Sequence, residues 1–319
     1  MMRLATIALV ISLSFAGPVF GDWIYEGQFG TRGSGAGQFQ IPFGVAYSSL
    51  GDVYVTDSTN NRIQYFTETG TLRGAWGKPG SGNSEFREPV GVAVALSNDV
   101  YVTDRRNHRV QYFTPTGSYK GYWGRSGTSN GYFSFPAGID VAPHGQVYVA
   151  DTNNHRIQYF SSTGSYQGKW GTLGTGTKEF NSPWGVAVAP NANVFVADTQ
   201  NDRIQYFNRN GDYLGKWGRK GTGKGEFDRP VSVTVAANGN VFVVDGGNHR
   251  IQYFKPTGSY LGQWGKFGSE DGEFNSPGDI AIMTWAYVSD RNNDRVQYFD
   301  DTEYAVEPAS LGRVKALFK

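Results

Sequence analysis

Residues 150–160, ADTNNHRIQYF, set Asp151, Asn154, His155 and Arg156 within a few positions of one another. A carboxylate, an imidazole and a guanidinium this close could ligate a metal or move a proton. The chain repeats the pattern Asp-x-x-Asn-x-Arg-(Ile/Val)-Gln-Tyr-Phe six times. Its polar positions are Asp57, Asn60 and Arg62; Asp104, Asn107 and Arg109; Asp151, Asn154 and Arg156; Asp198, Asn201 and Arg203; Asp245, Asn248 and Arg250; and Asp290, Asn293 and Arg295. A catalytic set needs one copy, whereas a scaffold element needs one in every structural unit. The trio is therefore read as a turn motif. Asp ends one strand, Asn and Arg bracket the turn into the next, and Arg holds the carboxylate by a charge-assisted bond.

The period of the motif defines the elements that carry it. The first four spacings between its aspartates are 47 residues and the last is 45. Phe39, Phe86, Phe133, Phe180, Phe227 and Phe274 keep 47 throughout, each with a proline three residues on. Trp76, Trp123, Trp170, Trp217 and Trp264 form a third series, each followed by glycine. In the fourth unit the strands read WGVAVAP, NVFVADT, RIQYF and YLGKWG, separated by PNAN, DTQND and NRNGD. Alternation, β-branched and aromatic residues support strands, and no window carries a helical period. Six four-stranded units describe an all-β, six-bladed β-propeller over residues 22–299.

The ends specify closure. YEGQFG (25–30) aligns with YLGKWG but lacks the three preceding strands, while the last unit lacks its G-x-W-G ending. The N-terminal strand is expected to complete the sixth blade and cover its open edge, with TEYAV (302–306) as the alternative. Residues 300–319 are left over as a tail. The two residues missing from the last unit fall in IAIMTWAYVSD, which demands a tighter first hairpin.

Formal net charge is +1, so no global field recruits nucleic acid or acidic lipid. There are 44 glycines, but they recur at fixed offsets and read as turn residues. The chain has no cysteine, which excludes a disulfide framework, a thiol nucleophile and Cys-ligated zinc modules. Residues 1–21 run from Arg3 through an apolar stretch to small residues, the layout of a secretory signal peptide. Cleavage after Ala16 or after Gly21 fits. An uncleaved anchor is the alternative, although the run falls short of the ~20 residues a span needs. The mature protein is expected outside the cell, or in the periplasm of a bacterium, as a monomer with no membrane span.

The combination of GSGNSEFREPVGVAV, VYVTDRRNHRVQYF and GYWG resembles NHL repeats over residues 23–299. The resemblance implies a six-bladed propeller. It leaves function open, because such propellers host RNA binding, protein binding and one lyase activity. Large NHL proteins linked to ubiquitin transfer carry RING and B-box modules, which this chain lacks. The peptidyl-hydroxyglycine amidating lyase places zinc histidines after the proline of the innermost strand. Those positions here hold Phe43, Val90, Ala137, Trp184, Val231 and Gly278, so no metal or cofactor is expected.

The remaining chemistry-bearing residues fit turns. His108, His155 and His249 share one repeat position, filled elsewhere by Asn61, Asp202 and Asp294. With strands about 4.8 Å apart, such turns stand on the order of 12 Å from the axis and from each other. One zinc needs ligand nitrogens within about 4 Å, so these are read as solvated turn side chains, as is His144. DRNNDR (290–295) starts like a calcium loop but has Arg295 where glycine is required. GSGAG, GTGTK and GTGKG precede no helix and read as flexible connections, not phosphate loops.

The Gly-rich connections and the Asp-x-x-Asn-x-Arg turns share one face, which differs from blade to blade. Trp184, Arg105, Arg106, Arg219 and Lys220 are its candidate ligand-binding residues, with Trp184 expected as an exposed aromatic near the channel mouth. The reading is a binding module for a protein or glycan ligand, with no catalytic residues assigned. An extracellular propeller lyase or hydrolase is the alternative, and single-stranded RNA binding is a third reading.

Overall fold

The computed structural model describes residues 19–20, 23–283 and 285–301. The proposed signal segment apart from Val19 and Phe20, and the tail beyond Asp301, lie outside these residues. Six antiparallel four-stranded blades ring an axis, and each innermost strand packs against the next. In blade 1 the strands are Pro42–Tyr47, Asp52–Asp57, Arg62–Thr67 and Leu72–Trp76, from the axis outward. Blade 6 is built from Pro277–Ile282, Ala286–Asp290 and Arg295–Asp301, and its outermost strand is the N-terminal Trp23–Phe29. Phe29 lies opposite Val296 and Trp23 opposite Asp301.

The edge that TEYAV could have taken is thus occupied by the N-terminal strand. The third strand runs to Asp301, so the boundary expected at residue 299 moves two residues outward. Val19–Phe20 adds a short pairing against Trp23 and Ile24. In blade 6 the first strand ends at Ile282 and the second starts at Ala286, against Val94 and Val100 in blade 2, so this connection is the one shortened by the two missing residues.

Apolar burial lies between blades, because each sheet is buried on both faces. Outer-strand Trp76, Trp123, Trp170 and Trp217 each lie against a glycine of the next blade's third hairpin: Gly117, Gly164, Gly211 and Gly258. Phe29 occupies the same place against Gly70, where an added Cβ would fall 2.5 Å from the Phe29 Cβ. Trp23 stacks on Trp264 at 4.8 Å and meets Phe242 edge-on at 5.6 Å, joining the closing strand to blade 5. The recurrent phenylalanines Phe39 to Phe274 are fully buried beneath the glycine after each outer strand.

The recurrent polar trio ties the Gly-rich connections to the blades. Asp151 accepts from the Ser134 N–H (2.7 Å), Asn154 Nδ2 (2.9 Å), Arg156 Nε (2.6 Å) and Gln158 Nε2 (3.0 Å). Arg156 spends its terminal nitrogens on the carbonyls of Thr128, Ser129 and Tyr132 in the connection ahead. Arg62, Arg203 and Arg250 do the same for their own connections. The connections expected to be flexible are therefore pinned, since three backbone carbonyls in each of these find a guanidinium donor.

The residue that follows each Asn clasps the next blade. His108, His155 and His249 have left-handed backbones (φ 54°, 54° and 56°), as do Asn61, Asp202 and Asp294. Asn, Asp and His tolerate that region better than most residues, and each offers an acceptor. His108 Nδ1 accepts the Phe135 N–H (3.1 Å), His155 Nδ1 that of Ser182 (3.0 Å) and His249 Nδ1 that of Ser276 (2.9 Å). Asn61, Asp202 and Asp294 receive the N–H groups of Glu88, Arg229 and Ile41 in the same way. Each donor precedes the proline of an innermost strand and is itself left-handed, even β-branched Ile41 (φ 55°). The clasp holds that strained residue, which costs on the order of 1–3 kcal/mol. These histidines are not the solvated side chains expected from sequence, because an inter-blade bond draws each ring half under its neighbour.

Two outcomes follow from this packing. Trp23→Ala should cost about 3–5 kcal/mol in urea unfolding, against less than about 0.5 kcal/mol for exposed Tyr122→Ala. Burial lowers the pKa of His108 and His249 below the usual histidine value. On acidification the unfolded chain therefore takes up protons first, near its pKa of about 6.5. The stability these rings contribute is complete above that pH and is lost as pH falls through the folded value. Urea midpoints between pH 7.5 and 5 should show wild type losing ground to H108N/H249N, which keeps an acceptor but cannot titrate.

Candidate functional site

The residue after each innermost-strand proline is aimed at the axis by the clasp before it. Two of these side chains, Phe43 in blade 1 and Trp184 in blade 4, face one another across the ring. Their rings stack 5.6 Å apart at 14°. With Val90 and Ala137 they close the axial channel. Arg291 lies over the Phe43 ring, its Cζ 4.5 Å from the centroid, and Arg105 lies over Trp184 at 5.0 Å. The plug is thus a four-layer stack, guanidinium–phenyl–indole–guanidinium, stabilised by cation–π attraction at both ends. Gly278 makes room for it, because a Cβ there would lie 2.7 Å from Arg291 Cδ.

Above the plug, on the face of the Gly-rich connections, is a cavity of ≈ 460 Å³. Its walls carry Arg87, Arg106, Arg291 and Glu88 beside Ile41, Phe43, Val90 and Trp184. Glu88 is the one carboxylate there and is shared: it accepts from Arg105 (2.9 Å) and from Arg106 Nε. Burial pulls the Arg291 pKa below the usual arginine range, opposed by Glu88 and reinforced by Arg105. The Nε atoms of Arg291 and Arg105 and the Trp184 indole nitrogen are buried without a hydrogen-bond partner among the described residues.

Below the plug the channel opens to the opposite face through a chamber of ≈ 380 Å³. Asp140 and Asp279 line it, at positions where most other blades have alanine or glycine. Asp140 accepts the N–H groups of Val188 (2.7 Å) and Val141 (2.8 Å). Asp279 accepts those of Val45 (3.0 Å) and Ile280 (2.9 Å), together with the Ser232 hydroxyl. Burial pushes both carboxyls up to about 6, and the Asp279 charge adds to the shift of Asp140. Burial thus favours the neutral form of both carboxyls.

The residues singled out in the sequence separate here. Trp184 is at the mouth but is half-buried in the plug, not exposed, because Phe43 and Arg105 cover its faces. Arg105 is 16% exposed and bound to Glu88, whereas Arg106 is 64% exposed on the rim. Arg219 and Lys220 stand outside the mouth, paired with Glu226 (2.8 Å) and Asp228 (3.3 Å). The calcium-like Asp290 is consumed by Arg295 and Asn293. Among the described residues no group of three His, Cys, Asp or Glu side chains is gathered to hold a metal ion. Sequence reading missed Phe43, Arg291, Asp140 and Asp279. Each is a departure from the repeat at a position that faces the axis.

The NHL repeat family matches residues 39–66, 86–113, 133–160, 180–207 and 227–254. These segments are the connection and first three strands of blades 1 to 5. The sixth blade has the same strands with the shortened hairpin. No curated protein matches the chain. Among solved structures it is similar to a streptogramin B lyase, at 13% identity over 89% of this chain and 100% of that one, with TM-score 0.62. It is similar to a gluconolactonase from Xanthomonas campestris at 13% identity, over 88% and 91% of the two chains, with TM-score 0.64. A nidogen/laminin complex matches at 16% identity, over 70% and 80%, with TM-score 0.55. At such identities the likeness is one of fold. The repeats and the closed ring together place this chain in the NHL-repeat family, as a six-bladed β-propeller.

Proposed function

We propose that this chain is an exported binding module that seats a protein or glycan ligand at the channel mouth on the face of the Gly-rich connections. The mouth itself carries the reading: a cavity of ≈ 460 Å³ in which Arg87, Arg106 and Arg291 face one carboxylate, Glu88. The scaffold repeats from blade to blade, so a target can be encoded only where the blades differ, and the mouth gathers those differences. Export is supported by the apolar run in residues 1–21. Cleavage after Gly21 would remove the Val19–Phe20 pairing, whereas cleavage after Ala16 would keep it.

A second reading, a lyase or hydrolase, draws on the chamber below the plug. There the two carboxyls raised to about 6 line a chamber open to the opposite face, and the fold is shared with a streptogramin B lyase and a gluconolactonase.

Partner capture from the exporting cell's medium separates the two. The binding reading expects a partner whose retention falls about ten-fold or more in R106A and in W184V, the latter substituting the residue found in blades 2 and 5. Partners retained in full by both variants would remove the mouth from consideration. Turnover of a gluconolactone or a streptogramin B, lost in D140N/D279N, would favour the enzyme. N-terminal sequencing of secreted protein should begin at Gly17 or Asp22; an intact Met1 would end the export reading.

A further inference from the structure

The mouth has more positive charge than its own residues satisfy. Arg291 lies between blades 6 and 1 with its Nε unbonded and with no ion pair among the described residues. Arg105 has one nitrogen on Glu88 and a buried, unbonded Nε. Glu88 is also held by Arg106. Two guanidiniums therefore share one carboxylate while Arg291 has none, with Arg87 on the same wall. Buried polar groups without partners are costly, and the terminal nitrogens of Arg291 have no hydrogen-bond partner among the described residues either.

The scaffold does not require these arginines. The position after the turn Asp holds Ser58, Thr152, Thr199 and Gly246 in the other four blades. Arg291 is admitted by Gly278, the one innermost-strand position of its series without a side chain. Two blades thus depart from the repeat together to bring guanidiniums to a single seat.

From this geometry we propose that the mouth receives a peptide carboxylate, held by Arg291 on the cavity wall, with Arg105 packed behind Trp184 adding its positive charge and fixing the wall. The inference rests on the binding-module reading above and names the chemistry of its ligand. A guanidinium fork matches a carboxylate in two parallel bonds. A glycan fits less well, because each ring of the plug is covered on one face by the other ring and on the second by arginine, leaving no face for a sugar to stack on. A nucleic-acid strand needs a basic track for successive phosphates, whereas Arg219 and Lys220, farther out on this face, are already neutralised by Glu226 and Asp228. Ile41 and Val90 on the wall supply apolar contact for the residue that bears the carboxylate.

Calorimetric titration of the full chain tests this with three probes: acetyl-Gly-Gly-Val with a free C-terminus, the same peptide as its amide, and acetyl-Gly-Glu-Gly-amide, whose only carboxylate is on a side chain. The free acid should bind more weakly as salt rises, and R291T or R105T should lose about ten-fold or more, while R219T on the same face loses nothing. Thr is the repeat's own residue at the position of Arg291 and Arg105, so both variants keep the fold. Binding of the Glu peptide at equal strength assigns a side-chain carboxylate as the source; its failure to bind assigns a chain terminus. If the amide binds as well as the acid, and R291T weakens both, the seat stands and the carboxylate is wrong. If no probe binds at millimolar concentration, or if none responds to R291T, R105T or W184V, this inference falls; whether the seat falls too is read from the partner-capture result for R106A and W184V.

Discussion

A buried carboxylate at the end of each second strand governs the architecture of this face. Asp104, Asp151, Asp198, Asp245 and Asp290 have no exposed side-chain surface, and the arginine that holds each is only 6–8% exposed. Burial alone would drive these carboxyls toward the neutral form, and for Asp104, Asp151, Asp245 and Asp290 it is the larger effect. The backbone N–H, Asn, Arg and Gln donors oppose it. Removing one partner of such a pair typically costs about 3–5 kcal/mol, because the other charge stays buried alone. The same arginine anchors the Gly-rich connection, so the contour of the variable face depends on the ion pair beneath it.

The axis is differentiated by the exceptions to the repeat. Six identical blades would present a six-fold symmetric mouth with an open axis. Phe43 and Trp184, three blades apart, break the symmetry and close it; Arg105 and Arg291 cap the break. The result is two compartments of opposite character, a cationic mouth and a carboxylate-lined chamber, divided by one aromatic pair. Their separation gives the two ends of a single channel unlike charge.

Much of this was legible in the sequence. Phe39 and its five successors, the tryptophan-glycine pairs and the displaced YEGQFG strand were enough to specify blade number and closure, because periodic burial leaves a periodic record. The Asp–Arg contact was legible for the same reason. The histidine clasp was not: His108 and Phe135 belong to different repeats, and nothing local to either shows that a left-handed residue in one blade will meet an N–H in the next. Trp184 was legible as an oddity of size, but its burial depended on Phe43, whose relevance appears only once six-fold geometry sets blades 1 and 4 opposite. Asp140 and Asp279 could have been found by lining up axis-facing positions and noting where Ala or Gly gives way to a carboxylate.

The pairing of Trp23–Phe29 with Arg295–Asp301 also bears on how the chain acquires its structure. The first blade segment made by the ribosome is the last to find its partner, and some 270 residues must emerge between them. Blades 1 to 5 can form in order from local hairpins, while the sixth waits until the strand ending at Asp301 has been made. Until then blade 6 has no outer strand, and Trp264 of blade 5 lacks the indole that covers it. Ring closure is thus a late, long-range step, slow by the ordinary dependence of rate on sequence separation. A chain cut short anywhere before Asp301 leaves the N-terminal segment partly or wholly unpaired, a built-in check that the sixth blade has been made.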